Sequence, residues 1–131
     1  MSALPDWRTF PSAEALAAAL AETVTQALAD AIVRRGQAFL AVSGGTTPQR
    51  FFTALSRQAL EWSKVTVTLV DERFVPETSP RSNGALLRKF LLTNEATGAR
   101  FAPLYRSAAN VEQAAALASG DLASLPWPLD A

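Results

Sequence analysis

The run Ala38-Phe39-Leu40-Ala41-Val42 is apolar at every position and gives way at once to Ser43-Gly44-Gly45-Thr46-Thr47-Pro48. An apolar run of this length without alternation suits a strand buried on both faces, as in a parallel sheet. Two glycines end it. Thr47 then offers an N-cap and Pro48 fits the first helical position, so a second helix is expected through about Arg57. A buried strand that turns through glycines into a helix is one step of a parallel α/β unit. It restricts the chain to folds assembled from such units.

The flanking sequence supplies the other parts. From Ser12 to Arg35, apolar side chains at Leu16, Leu20, Val24, Ala27, Leu28, Ala31 and Ile32 keep helical spacing. Ser12 is the expected N-cap, with Glu14 in the first turn, Arg34 and Arg35 in the last, and Gly36 as the stop. Both arginines are expected to be solvated. Val65 to Val70 is β-branched and predicts a second strand, ending in Asp71. Pro76 to Arg81 reads as a loop, and Ser82 or Asn83 as the cap of a third helix through Leu92. Arg100 to Leu104 is a weaker strand. Asn110 with Gln113 resembles a capping box for a last helix to about Leu125. Pro126-Trp127-Pro128-Leu129-Asp130-Ala131 breaks that helix and points toward another strand. This order predicts an α/β layer fold with a mainly parallel sheet, in one domain over residues 1–131. Three strands are few for such a sheet, so either the chain is incomplete or another chain, as in a homodimer, covers the open edge.

Composition removes several chemistries. The 131 residues contain no Cys and no His. Disulfides, thiolate metal sites, a Ser-His-Asp triad and most zinc sites are therefore excluded within them. Twelve basic residues balance twelve acidic ones. No general field then draws nucleic acid or an anionic membrane, and a bound anion needs a local site. No unbroken apolar run reaches the roughly 18 residues of a membrane span. Met1 to Arg8 lacks the basic-then-apolar pattern of a secretory signal. A cytoplasmic protein is the expectation.

Three segments remain as candidate sites. In Ser43-Gly44-Gly45-Thr46-Thr47-Pro48, a helix start offers N–H donors and partial positive charge, and three hydroxyls lie beside two glycines. This suits a phosphate, although it lacks the Lys of a nucleotide P-loop and is not GxGxxG. An ordinary strand-to-helix turn is the alternative. Asp71-Glu72-Arg73 follows the second strand, at the sheet edge where α/β proteins bind ligands. If the extended backbone continues, Asp71 and Arg73 share one face and Glu72 takes the other. Arg73 can then grip a phosphate or carboxylate while Asp71 orients it or handles a proton. A strand-ending ion pair is the alternative there. Ser82-Asn83 reads as a helix cap or as neutral partners for sugar hydroxyls.

Taken in order, Ser43-Gly44-Gly45-Thr46-Thr47-Pro48, Asp71-Glu72-Arg73-Phe74-Val75-Pro76 and Ser82-Asn83 resemble the motifs of the 6-phosphogluconolactonase family. The resemblance runs from about Phe39 to the C-terminus. It implies a three-layer αβα sandwich of the kind shared with ribose-phosphate isomerases and glucosamine-6-phosphate deaminases, here incomplete relative to the family. It implies metal-free, cofactor-free hydrolysis of 6-phosphogluconolactone to 6-phosphogluconate in the pentose phosphate pathway. By position, Ser43, Gly44, Gly45, Thr46 and Thr47 match the substrate loop and Arg73 the substrate-binding arginine. Asp71, Ser82 and Asn83 match further motif positions. The family's general base is a His in a segment just after a strand that should begin near Leu129-Asp130-Ala131. Without His, these 131 residues alone are expected to bind poorly and catalyse little. Two rivals stay open: an amino-sugar-phosphate deaminase/isomerase, and a non-catalytic sugar-phosphate-binding module. The deaminase branch resembles Tyr where Arg73 stands.

Overall fold

The computed structural model describes residues 6–131. The reading of Met1 to Arg8 as leaderless falls mostly on residues 1–5, outside the described residues. Helix α1 spans Ala13–Arg35, with the Ser12 hydroxyl accepting from the Ala15 N–H and Gly36 closing it at φ 77°. A left-handed φ of this size costs glycine little, which is why the helix stops there. Strand β1 (Ala38–Val42) leads through the glycine turn into α2 (Gln49–Ser56). A short 3-10 turn, Trp62–Lys64, precedes β2 (Val65–Leu69). Helix α3 (Asn83–Phe90), β3 (Arg100–Ala102) and α4 (Val111–Leu122) complete the order.

The three strands form one parallel sheet in the order β1-β2-β3. Ala38 lies opposite Val65 and Val42 opposite Leu69, while Thr66 pairs with Arg100. Alternation sends Leu40, Val42, Val65, Val67 and Leu69 into a core with Leu28, Phe52, Leu55 and Leu87. Phe39 points to the opposite face, where Trp127 meets it edge-on at 5.0 Å. Trp62 and Phe52 are buried anchors, and Phe51 packs on the core margin.

The C-terminal segment lies along the free edge of β1. Asp130 N–H donates to Phe39 O at 2.8 Å, and Ala41 N–H donates to Ala131 O at 3.1 Å. This is the bonding pattern of a parallel neighbour.

Several expectations change. Leu16 and Leu20 do not enter the core. They are 49% and 43% exposed, while Ala17 and Ala21 are buried. Small residues let α1 lie close to its neighbours, and the leucines line an open cleft instead. Arg35 is not solvated. Its guanidinium donates to the carbonyls of Pro126, Trp127 and Pro128 and to Asp130 Oδ2, the last at 2.7 Å. Strand β2 stops at Leu69, although Val70 N–H still reaches Val42 O at 3.0 Å. By length and hydropathy α1 could cross a membrane, although its sequence has no unbroken apolar run of that length. Its apolar content is accounted for by a face in the protein core, with Ala21, Leu28 and Ala31 at 0% exposure.

Candidate functional site

Because β1 and β2 are parallel and in register, both candidate loops leave the same carboxyl edge of the sheet. Ser43 follows β1 directly, and Asp71 comes two residues after β2. Helix α3 ties them together. A Cβ built on Gly44 would fall 2.7 Å from Asn83 Nδ2 and closer still to Oδ1 and Cγ. The Asn83 carboxamide therefore occupies the space a side chain at position 44 would need, with its Nδ2 donating to Asp71 O at 3.3 Å. One buried side chain bridges two motifs, Gly44 and Asp71, that lie 27 residues apart.

The two glycines differ in what they do. Gly44 makes room for Asn83, so the closeness expected of a ligand is taken here by protein. Gly45 meets nothing within 4 Å but sits at φ 94°, a conformation other residues resist. Gly44→Ala is expected to lower stability by about 1–3 kcal/mol, the usual cost of overpacking. In an Asn83→Ala background that penalty should shrink, and urea melts of the four-variant cycle read the difference. Equal penalties in both backgrounds would remove the contact from the argument.

Ser43, Gly45, Thr46 and Thr47 are exposed. Among the described residues, no acceptor engages the N–H groups from Gly44 to Thr47, and no partner engages the hydroxyls of Ser43, Thr46 and Thr47. A run of unengaged donors at a strand-to-helix turn is chemically suited to an anion. Thr47 is not the N-cap of α2. The helix begins one residue later than expected, with Pro48 at the cap and no side-chain bond. Thr47→Ala thus has no capping bond to lose, and its hydroxyl is left facing outward.

The acidic pair divides its labour. Glu72 turns into the start of α3, where its carboxylate accepts from Asn83 N–H at 2.6 Å, Gly84 N–H at 2.7 Å and the Ser82 hydroxyl at 3.2 Å. It also accepts from Arg73 N–H at 2.8 Å. Asp71 is exposed and its carboxylate has no partner among the described residues. Arg73 is exposed and donates from Nη1 to Arg81 O at 2.9 Å, leaving the rest of its guanidinium available. No strand-ending ion pair forms between them.

Ser82 is the cap of α3. Its hydroxyl accepts from Ala85 N–H at 3.1 Å and donates to Glu72. Buried and doubly engaged, Ser82 supports the loop from beneath, and so does Asn83. Sequence reasoning left open which of Asp71 and Glu72 faces a ligand and gave Glu72 no role of its own. Its one signal was period-two alternation, which sets it on the opposite side from Asp71 and Arg73 without naming its partner. Among the described residues, no cluster of three or more potential metal ligands occurs.

The family model described as glucosamine-6-phosphate isomerases/6-phosphogluconolactonase matches residues 11–130. The chain belongs to this family. It is 57% identical to a 6-phosphogluconolactonase of Mesorhizobium japonicum over 95% of its own length and 52% of that relative. It is 59% identical to the Rhizobium meliloti 6-phosphogluconolactonase over 92% of its length and 52% of that relative. The crystal structure of a Shewanella baltica 6-phosphogluconolactonase superposes with a TM-score of 0.90 at 38% identity, covering 92% of this chain and 52% of that one. A monomeric glucosamine-6-phosphate deaminase, 19% identical with a TM-score of 0.69, covers 86% of this chain and 48% of that one and shares the fold alone. This family member spans about half the length of the curated relatives it matches.

Proposed function

We propose that these residues form the sugar-phosphate-binding portion of a 6-phosphogluconolactonase domain, which hydrolyses 6-phosphogluconolactone to 6-phosphogluconate. The observation that carries the reading is the packing of Asn83 on Gly44. It joins the unengaged donors of the Ser43–Thr47 turn to Asp71, two residues before Arg73, in a chain whose relatives bear that enzyme's name.

In this reading the turn N–H groups and the hydroxyls of Ser43, Thr46 and Thr47 hold the substrate's oxygens. Arg73 swings from the Arg81 carbonyl to pair with its negative charge. Asp71, unpaired at the edge, orients the sugar. Ser82 and Asn83 act by holding the loops. Hydrolysis adds water to the lactone carbonyl and then breaks the ring C–O bond, so the attacking water must lose a proton. The 131 residues contain no His to accept it near neutral pH. By themselves they are expected to leave the spontaneous rate of ring opening unchanged. A cytoplasmic setting, a homodimer over the open sheet edge and the absence of nucleic-acid or membrane partners belong to the same proposal.

The test is lactone hydrolysis by the native gene product, followed by NMR against the spontaneous rate. Fast turnover supports the assignment. In that protein Arg73→Ala should lose about 1.5–3 kcal/mol of transition-state binding, the worth of hydrogen bonds to a charged group. An unchanged kcat/KM would remove Arg73 from the site. No turnover at all would favour a binding module.

A further inference from the structure

The four donors gathered by Glu72 come from two different directions. Arg73 N–H lies on the loop that leaves β2, and Asn83 N–H, Gly84 N–H and the Ser82 hydroxyl lie at the start of α3. A carboxylate at a helix start is favoured by the unpaired N–H groups and the helix dipole. Here it also sets where that helix begins relative to the sheet edge. Asn83 is the first residue of α3, and its side chain is the one seated on Gly44. Gly84 is packed against Glu72 itself, less tightly than Gly44 against Asn83, since a Cβ there would lie 3.2 Å from Glu72 Oε2.

We propose that Glu72 is the positioning residue of the sugar-phosphate site. Its carboxylate holds the backbone of Arg73 directly and holds the Gly44 turn through Asn83, so one side chain fixes the spacing between the anion-binding turn and the arginine. This rests on the sugar-phosphate reading above. Glu72 itself touches no substrate, because its oxygens are occupied by protein donors. Both the position of Arg73 and the shape of the turn depend on it, so its replacement should weaken ligand binding more than the loss of stability explains.

An NMR titration of the native gene product with 6-phosphogluconate tests this in four forms: unsubstituted, Glu72→Gln, Glu72→Asp and Leu28→Ala. Glu72→Gln keeps the shape but replaces one acceptor oxygen by a donor, facing either Arg73 and Asn83 or Ser82 and Gly84. It should raise Kd about tenfold, the worth of one charge-assisted hydrogen bond. It should also shift the Gly44 N–H and Asn83 carboxamide resonances before ligand is added. Glu72→Asp keeps the charge on a shorter stem, should fall between the two, and serves if the Gln variant does not fold. Leu28→Ala lies in the core on α1, away from both loops, and should lose stability with Kd held within about twofold. Unshifted Gly44 and Asn83 resonances, an unchanged Kd in Glu72→Gln, or an equal loss in Leu28→Ala would each overturn the positioning role. Absence of binding by the unsubstituted native protein would overturn the sugar-phosphate reading itself, and the role of Glu72 in it.

Discussion

Replacing Phe39 by alanine is expected to lower the stability of the chain by about 3–5 kcal/mol, the range for deleting a buried aromatic side chain. Phe39 is fully buried, yet it faces away from the main core. Its ring is covered by Trp127, which belongs to the C-terminal segment. Truncation would leave a cavity whose lid is an irregular tail held on one side only. The tail can collapse into the gap more readily than a helix or strand could, which favours the lower part of that range. Urea denaturation gives the stability. Amide exchange at Asp130 and Ala41, whose bonds join the tail to β1, shows whether the tail is released with it. A loss below about 1 kcal/mol would mean that the tail contributes little to the folded state.

The second large effect concerns Asp130. Its carboxylate pairs with Arg35 at 2.7 Å and accepts from Phe39 N–H at 2.8 Å, with the side chains of Arg35 and Asp130 22% and 7% exposed. Asp130→Ala leaves a guanidinium without its counter-charge and a strand N–H without its acceptor. Removing one member of a buried pair costs about 3–5 kcal/mol, and the partial exposure of Arg35 places this case near the lower limit. Asp130→Asn keeps an acceptor for Phe39 and should cost less. If both substitutions cost the same, charge is not what holds the tail. The three carbonyls that Arg35 also reaches would then account for its anchoring.

The two experiments bear on the candidate site through geometry. The tail runs parallel to β1 and toward the same carboxyl edge from which the Ser43–Thr47 turn departs. Arg35 and Phe39 thereby set the register of whatever lies beside β1 at that edge.

Much of this architecture was legible in the amino-acid order because its causes are local. A hydroxyl or carboxamide three residues ahead of an N–H needs no distant partner, so Ser12, Ser82 and Asn110 could be read as caps and were found as caps. Gly36 could be read as a helix stop because only its own φ decides it. An apolar run without alternation marks a strand covered on both faces, which predicted the parallel sheet. Thr47 failed as a cap for an equally local reason: the backbone stays irregular one residue longer, and Pro48 takes its place.

What the sequence left open depends on contacts between distant segments. Nothing near Glu72 announces that its carboxylate will cap a helix eleven residues on, because that requires the loop from β2 to fold back over α3. The Gly44 turn looked shaped for a ligand, and only the folded chain shows that Asn83 occupies the space. Arg35 looked like an ordinary last-turn cation, yet its partners lie 91 to 95 residues away. Short-range steric and hydrogen-bonding preferences wrote the elements and their order into the sequence. Which charged groups are withdrawn from water, and which stay free for a substrate, was decided only when packing brought remote parts of the chain together.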